Sequence, residues 1–445
     1  MAGAALPCDF RDECNGLGDD VAILHGRDYG RKRKVTYYRI RTHAAALWTA
    51  PRAPPPTPMT TALAPPPRRI AVVHDWLDTW RGGENVLAEI LALYPDATLF
   101  SLVDFLPDEA RARIGGRRAG VSFLQRMPLA RRRFRGYLPL FPRAIQSLDL
   151  SGHDLVISIS HAVAKGVRKP PGALHLCYCL TPMRYAWDLR DAYLATVGGR
   201  VKRALVNHLL DRLREWDRAS ASAVDRFAGI SRHIAERIRA SYGREAEVVY
   251  PPVDVDYFAP GPASDRAAEY YLTASRWVPY KRIDAIVAAF RALPTCRLVV
   301  TGDGPDAARI LAAAGPNVEF AGEVSRDRLR TLMRGARAFI FAAEEDFGIV
   351  PLEAQACGTP VIGYARGALL ETLRGPESRA VTSTFFGAQT PTAIAAAISE
   401  FEALPVAIEA AACRANAERF ATSCFRAAFT DFVSTAWVHH TARSQ

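Results

Sequence analysis

Long apolar runs are absent from this sequence of 445 residues. No stretch reaches the roughly 18 uninterrupted apolar residues that a membrane-spanning helix needs, which argues against an integral membrane protein. The opening residues, MAGAALPCDFRDEC, place acids where the apolar core of a secretory signal would lie. We therefore expect the protein to stay in the cytoplasm.

Cysteine is also sparse, with eight residues in the chain and no CxxC pair among them. The absence of paired cysteines argues against a zinc module, because such modules hold the metal through closely spaced pairs. In a reducing compartment, the simplest interpretation is that these cysteines are small buried side chains. A redox or metal role is the alternative.

Acidic residues are missing from one long segment of a chain whose net charge is +11. Between Arg111 and Leu148 there are ten arginines and no acid, interleaved with Phe, Leu and Tyr. Such a surface can contact an anionic membrane leaflet, and we expect Arg111–Arg143 to do so. The alternative is a helix packed on a sheet, with solvated arginines. The sequence contains no recognisable nucleic-acid-binding module, so we expect no nucleic acid partner.

The rest of the composition is that of a folded protein, with 49% apolar and 23% charged residues. Residues 1–67 differ, because they carry a basic run and the proline-rich tract PRAPPPTPMTTALAPPP. We predict that this extension is disordered, since it cannot bury enough apolar surface to offset its chain entropy.

Short apolar strands alternate with helical patterns from residue 68 onward, in two series separated by the proline-rich linker VVYPPVDVDYFAPGPASD. This alternation predicts an α/β fold with two doubly wound, Rossmann-like domains facing each other across a cleft. The predicted boundaries are 68–250 for the first domain, 251–265 for the linker, 266–410 for the second domain and 411–445 for a C-terminal helix and tail that cross back to the first domain.

Cations, glycines and helix starts follow several strands of the second series. RWVPYKR comes after YYLTAS, GDGP after RLVVT, EEDFGIVPLE after RAFIFAA and RGALLE after VIGYA. The carboxyl ends of parallel strands share one edge of a sheet, where glycine loops, helix N-termini and basic side chains bind phosphate. We predict a diphosphate site on this rim. The alternative is that loops simply collect glycine and charge.

The stretch EEDFGIVPLE places Glu345 and Glu353 at either end of one loop. Pro351 suits the first turn of a helix and Gly358 suits its C-terminal end. Glu353 is therefore expected in the first turn, ionised by the helix dipole and able to accept hydrogen bonds from a vicinal diol such as ribose. A protease or metal site is not favoured, since no histidine lies nearby. Asp346, between the two, is expected to be solvated.

These segments resemble the nucleotide-sugar domain of glycosyltransferase family 4, whose members are retaining enzymes of the GT-B fold. The segments similar to that domain are ASRWVPYKRIDAIVAAF, VVTGDGP, FAAEEDFGIVPLEAQACGTPVIGY and RGALLETL. The linker VVYPPVDVDYF resembles the family's interdomain segment, and RGGENVL resembles its glycine loop after the first strand. More narrowly, HDWL, SHAVAKGV and TPMRYAWDLRD are similar to bacterial mannosyltransferases of O-antigen and exopolysaccharide assembly.

The resemblance implies roles for individual residues. Arg276 and Lys281 would hold the donor diphosphate and stabilise it as the leaving group. Glu345 would contact the sugar near the anomeric centre, and Glu353 would bind the ribose. The other donor-binding residues that the resemblance implies are Gly82, Gly83, Gly302, Gly304, Glu323, Val324, Phe347, Gly348, Ile349 and Val350. It implies no metal and no cofactor, since the nucleotide-sugar is itself a substrate.

The resemblance also implies that the first domain binds the acceptor, through Lys165 and Arg184. His161 would be a catalytic group beside the reaction centre, with a structural loop histidine as the alternative. Two positions depart from the pattern of similar sequences. Leu180 stands where they carry histidine, and leucine can neither donate, accept nor titrate. Ala368 replaces a second glycine and narrows the backbone conformations open to its loop.

The resulting hypothesis is a retaining glycosyltransferase that moves a hexose onto a lipid-linked oligosaccharide in O-antigen, capsule or exopolysaccharide synthesis. The first donor candidate is GDP-mannose. Peripheral contact with the inner face of the membrane would bring the enzyme to such an acceptor. A nucleotide-sugar epimerase of the same architecture and a non-catalytic nucleotide-sugar-binding protein are the alternatives.

Overall fold

The computed structural model describes residues 21–27, 34–40, 66–188, 190–195, 197–262 and 270–444. The chain divides into two compact units, Met1–Leu63 and Ala64–Gln445. In the first unit, strands β1 (Val21–Arg27) and β2 (Lys34–Ile40) pair antiparallel. This pair of strands corrects the disorder expected for these residues, because KVTYYRI is rich in β-branched and aromatic side chains that favour strands and VAILHGR carries the apolar run VAIL. The expected disorder of the other residues up to 65 lies outside the described residues.

The second unit begins with a parallel seven-stranded sheet in the order β5-β4-β3-β6-β7-β8-β9. Its strands are β3 (Ile70–His74), β4 (Thr98–Ser101), β5 (Gly120–Val121), β6 (Leu155–Ser160), β7 (Leu174–Cys179), β8 (Arg226–Gly229) and β9 (Ala246–Val248). The helices among them are α1 (Gly82–Leu93), α2 (Asp108–Ala112), α3 (Ala130–Arg133), α4 (Phe141–Gln146), α5 (Arg190–Ala195), α6 (Arg200–Ala221) and α7 (Arg232–Tyr242). Every residue of β6 and β7 is buried, as expected for central strands covered on both faces.

A parallel six-stranded sheet follows, in the order β12-β11-β10-β13-β14-β15. Its strands are β10 (Tyr270–Ala274), β11 (Arg297–Thr301), β12 (Val318–Gly322), β13 (Ala338–Phe341), β14 (Val361–Tyr364) and β15 (Ser383–Phe386). The helices are α8 (Ile283–Ala289), α9 (Ala307–Ala313), α10 (Arg326–Gly335), α11 (Ile349–Ala356), α12 (Leu369–Thr372), α13 (Pro391–Glu402), α14 (Ala410–Glu418) and α15 (Thr422–Ser444). The predicted fold class, two Rossmann-like domains of the GT-B type, is confirmed.

The chain passes between the two sheets at two neighbouring places. The backbone N–H of Val253, in the proline-rich linker, donates to the carbonyl of Phe420, which follows α14, at 2.8 Å. The rings of Tyr250, Phe347 and Phe420 pack on one another here, with centroids 5.1 to 5.9 Å apart. The linker is therefore anchored by buried side chains, although its composition suggests a loose connection.

Helix α15 returns the end of the chain to the first sheet. Phe425 and Phe429 pack edge-on against Tyr178 of β7, with ring centroids 5.9 and 5.8 Å away. Among the described residues, no helix combines the length and the apolar character needed to cross a membrane.

Candidate active site

The carboxyl ends of the two sheets face a common cleft, in which most of the predicted site residues meet. A cavity of about 400 Å³ lies between the domains. Its lining includes the predicted residues Gly82, Gly83, His161, Arg184, Lys281, Glu345, Phe347, Gly348, Ile349 and Val350. Residues from both domains thus surround one space, although they lie up to 268 positions apart in the sequence (Gly82 to Val350).

A second cavity of about 520 Å³ continues the cleft along the second domain. It is lined by the predicted residues Arg276, Gly302, Gly304, Glu323 and Val324. Ser275 and Val350 line both cavities, so the two spaces adjoin. A groove of this length, with one end at Glu323 and the other between the domains, can accommodate an elongated ligand.

The loop after β10 presents Arg276 to this second cavity because the next residue, Trp277, is buried. The Trp277 backbone N–H donates to the carbonyl of Asp303 at 2.8 Å, which holds the RWVP and GDGP loops together. A Cβ at Gly302 would overlap the carbonyl oxygen of Ser275, and one at Gly304 would overlap that of Trp277. The glycines therefore allow two backbones to pack closely. Arg276 itself is exposed and makes no side-chain hydrogen bond or ion pair with the described residues.

Lys281 and Glu345 form an ion pair in the interdomain cavity, with Nζ donating to Oε1. The backbone around Glu345 is held by the loop after β14, where the N–H of Ala368 donates to the Glu345 carbonyl at 2.9 Å. Gly367, with φ +65°, lies so close to this carbonyl that a side chain would not fit. Ala368 has φ −73°, which any residue can adopt. Alanine therefore fits this position, where similar sequences carry a second glycine.

Helix α11 begins at Ile349, with Gly348 as its N-cap, so Pro351 lies in the first turn as predicted. Glu353 is therefore the fifth helical residue, and its expected place in the first turn is wrong. It is half-buried, lines a further cavity of about 250 Å³ with Arg326 and Asp254, and accepts no side-chain hydrogen bond from the described residues. Burial raises the pKa of Glu353 to about 7, so the expected dipole stabilisation of its ionised form is also corrected.

His161 reaches the cavity from the loop after β6, and a buried carboxylate holds it there. The Asp75 carboxylate accepts the four consecutive backbone N–H groups of residues 161–164, at 2.6 to 3.0 Å. The Nδ1 atom of His161 lies 3.0 Å from Asp75 Oδ2. Burial lowers the pKa of His161, but the charge of Asp75 and the hydrogen bond to it outweigh this effect and raise the pKa overall. Asp75 was not predicted as a site residue. Its position directly after β3, in the segment HDW, could have indicated it.

Lys165 does not reach the cleft, which corrects its predicted role in acceptor binding. It is fully buried and forms an ion pair with Asp217 of α6. Trp187 and Tyr242 also donate to Asp217, each at 2.8 Å. A buried lysine needs a buried counter-charge. The local sequence could not reveal that Asp217 supplies it, because Asp217 lies 52 residues away.

Arg184 lines the cavity as predicted, but its guanidinium binds Asp346 of the second domain at 2.9 Å. Asp346 is therefore not solvated, and that expectation is corrected.

Leu180 also lines the cavity, packed against Gly83 at the start of α1. Its side chain adds apolar surface beside His161. Within the described parts of the chain, no three His, Cys, Asp or Glu side chains are grouped to hold a metal ion.

Comparisons with known proteins agree with this geometry. The family model described as "Glycosyl transferases group 1" matches residues 260–420. A curated relative, D-inositol 3-phosphate glycosyltransferase from Mycobacteroides abscessus, is 35% identical over 142 residues, which cover 28% of this chain. The match spans only 32% of that relative's length.

Solved structures share the whole two-domain arrangement. Sucrose-phosphate synthase from Thermosynechococcus elongatus has a TM-score of 0.64 at 20% identity, covering 84% of this chain and all of its own. Anabaena HepE in complex with UDP-glucose has a TM-score of 0.60 at 16% identity, covering 82% of this chain and 99% of its own. Identities this low establish the fold alone. Residues 260–420 thus resemble the glycosyl transferases group 1 family, within a chain that has the GT-B fold.

Proposed function

We propose that this protein is a retaining glycosyltransferase that uses a nucleotide-sugar donor. The observation that carries the proposal is the cleft, where the Lys281–Glu345 ion pair faces His161 and the start of α1 across one cavity. The adjoining cavity offers Arg276, a cation with no ion-pair partner among the residues that the structure describes, beside the GDGP loop. A diphosphate spanning the two cavities would be bound by Arg276 and Lys281, with the sugar near Glu345 and the base near Glu323.

In the proposed reaction, the bond between the anomeric carbon and the diphosphate oxygen breaks, and its electron pair goes to the diphosphate. Arg276 and Lys281 stabilise the charge that develops there. The acceptor hydroxyl attacks the anomeric carbon from the same face, and its proton passes to the departing diphosphate oxygen. Glu345, released from Lys281 as the diphosphate takes over that cation, contacts the sugar hydroxyls. Closure of the two domains excludes water.

We further propose mannose, from GDP-mannose, as the transferred sugar, on the basis of the HDWL, SHAVAKGV and TPMRYAWDLRD segments. UDP-sugars are the second candidate, because HepE of the same fold is described in complex with UDP-glucose. Inositol phosphate, named in the curated relative, is an acceptor to compare with a lipid-linked oligosaccharide.

A thermal-shift panel of GDP-, UDP- and ADP-sugars tests the donor, since a ligand that binds only the folded state raises the melting temperature. Stabilisation by GDP-mannose with transfer of mannose supports the proposal, and no shift with any GDP-sugar excludes mannose from GDP-mannose. Incubation with donor alone separates the alternatives, because epimer formation without acceptor would identify an epimerase. Absence of a shift with every nucleotide-sugar would overturn the glycosyltransferase proposal.

Lys281→Met provides the residue-level test. Transfer should fall by about 10²-fold or more, because a group that stabilises the leaving diphosphate is lost. Lys169→Met is the matched control, since Lys169 pairs with Asp225 on the first domain and does not line the cleft. Equal activity of the two variants would contradict the role of Lys281.

We also propose that the arginine-rich segment docks the enzyme on an anionic leaflet. Arg131, Arg132 and Arg133 of α3 are exposed, and the neighbouring Leu129 and Phe123 are 62% and 43% exposed. Arg111, the first arginine of the segment, instead makes a buried double hydrogen bond to Asp104. The membrane-facing part therefore lies nearer to α3.

Co-sedimentation with vesicles tests this docking. Replacing the three α3 arginines by Glu should weaken binding to vesicles rich in phosphatidylglycerol by about 10²-fold or more, since each arginine near the surface contributes about 1 kcal/mol. Neutral phosphatidylcholine vesicles should bind neither protein. The same charge change at the exposed residues Arg328, Arg379 and Arg443 is the control. If that control loses as much binding, the attraction comes from net charge and the docking proposal is wrong.

A further inference from the structure

Asp346, the residue after Glu345, is held by two arginines of the other domain. Its Oδ1 accepts from Arg184 at 2.9 Å and from Arg237 of α7 at 2.8 Å. Both guanidinium groups are largely buried, with 25% and 13% of their side chains exposed. Removing one partner from ion pairs this sheltered from water costs more than removing one from a surface pair, because the cation left behind is poorly hydrated.

The backbone of the same loop is also tied to the first domain. Ser231 is the N-cap of α7, where its hydroxyl accepts from Ile234 N–H, and it donates to the Asp346 carbonyl at 2.7 Å. Arg237, six residues further along in the middle of α7, additionally pairs with Asp188 of its own domain. Helix α7 and its N-cap thus contact both the side chain and the main chain of Asp346.

A second loop of the second domain meets the same helix start. The Glu371 carboxylate, from the loop and helix after β14, accepts the backbone N–H groups of Arg232 and His233 at 3.0 and 3.1 Å. The positive end of a helix dipole stabilises such a carboxylate. The loops after β13 and β14 are therefore both attached to α7, and they are also joined to each other through Ala368 and Glu345.

These contacts lie beside Glu345 and away from the cavity that holds Arg276. Asp346, Arg184 and Arg237 do not line that cavity, whereas Asp346 is covalently next to Glu345. We propose that Asp346 is a positioning residue: its clamp by Arg184 and Arg237 couples closure of the two domains to the placement of Glu345. This inference rests on the proposed glycosyl transfer, in which Glu345 contacts the sugar.

Steady-state kinetics of Asp346→Asn test the coupling. The turnover number should fall by about tenfold or more, because Glu345 is no longer fixed when the domains meet. Affinity for the free nucleoside diphosphate, measured by calorimetry, should change by less than about threefold, since Arg276, Lys281 and the GDGP loop, which would hold the diphosphate, all belong to the second domain. An equal loss in turnover and in nucleotide affinity would overturn the proposal.

A double-mutant cycle with Arg237→Gln tests whether Asp346 acts through the clamp. Residues that act as one unit give non-additive effects, so the double variant should be no slower than the slower single variant. If the two effects instead add, Asp346 acts by direct contact with a substrate and the proposed coupling is wrong. Glu319→Gln is the control, because it removes an exposed ion pair with Arg297 that lies within the second domain.

Small-angle X-ray scattering measures domain closure without any reaction. Asp346→Asn should increase the radius of gyration relative to the wild type and Glu319→Gln, because the two domains separate when the clamp is lost. If the wild type transfers no sugar from any donor, the proposed function fails, and scattering still decides whether the clamp exists. An unchanged scattering profile for Asp346→Asn would refute the clamp.

Discussion

At the scale of single residues, burial has a larger effect on the pKa of Glu353 than the helix dipole that was expected to lower it. Its carboxyl is half-buried in the separate cavity lined by Arg326 and Asp254, beyond the first turn of α11, and its pKa is raised to about 7 from 4.5. The folded protein thus binds this proton more tightly than the unfolded chain does. Its contribution to stability is complete below the unfolded pKa of 4.5 and is lost as pH rises through about 7.

Donor affinity should follow the opposite trend, if Glu353 binds ribose. Only the ionised carboxylate is purely an acceptor for two hydroxyl groups, so affinity for a nucleoside diphosphate should rise by about three- to tenfold between about pH 6 and about pH 8. Glu353→Gln should flatten this profile, as calorimetry across the range would detect. An identical profile in the variant would assign the pH dependence to the ligand or to another group.

At the scale of elements, the loop after β11 owes its position to close backbone packing. Gly302 has φ +112° and touches the loop that carries Arg276. Gly302→Ala should therefore displace that loop and lower nucleotide affinity by about tenfold or more, in addition to destabilising the fold.

The matched control is Gly243→Ala at the end of α7, where φ is +66° and no other atom lies within 4 Å of the added methyl group. It should cost only about 1 to 2 kcal/mol of stability and leave nucleotide affinity unchanged. Thermal melts with and without nucleotide separate the two effects. Equal nucleotide affinities in the two variants would refute the packing argument.

Elements whose signal is local could be predicted from the sequence. Ser231 caps α7 and Gly243 ends it, as their residue types indicate, and the strands around the site follow the apolar runs. The functional partners could not be predicted, because they are distant in the chain. The Arg184–Asp346 bond spans 162 residues, and no local pattern distinguishes that aspartate from a solvated one. The place of Glu353 in α11 was wrong because Pro351 is tolerated throughout the first turn and does not fix the residue at which a helix begins.

At the scale of the whole molecule, the first domain is completed by the last helix of the chain. Phe429 of α15 is fully buried against Tyr178 of β7. Phe429→Ala should destabilise the protein by about 3 to 5 kcal/mol, the usual cost of emptying an aromatic core position.

Hydrogen exchange can locate that destabilisation. Faster exchange should appear in β7, some 250 positions earlier in the chain (Tyr178 to Phe429). Val438→Ala, on the same helix at a side chain that is 47% exposed, should change stability by less than about 0.5 kcal/mol. If exchange accelerates only within α15, the helix does not support the first sheet.

The two chain crossings, joined by the Val253–Phe420 hydrogen bond, make the second domain a cassette with both of its ends at one place. Recombination at these crossings would exchange the second domain between related chains without moving the first. The joint itself would have to be inherited whole, since Tyr250, Phe347 and Phe420 come from three separate segments. A chimera would also need to match Asp346 with Arg184 and Arg237. Whether two domains from different chains fit together therefore depends on a few residues around the cleft.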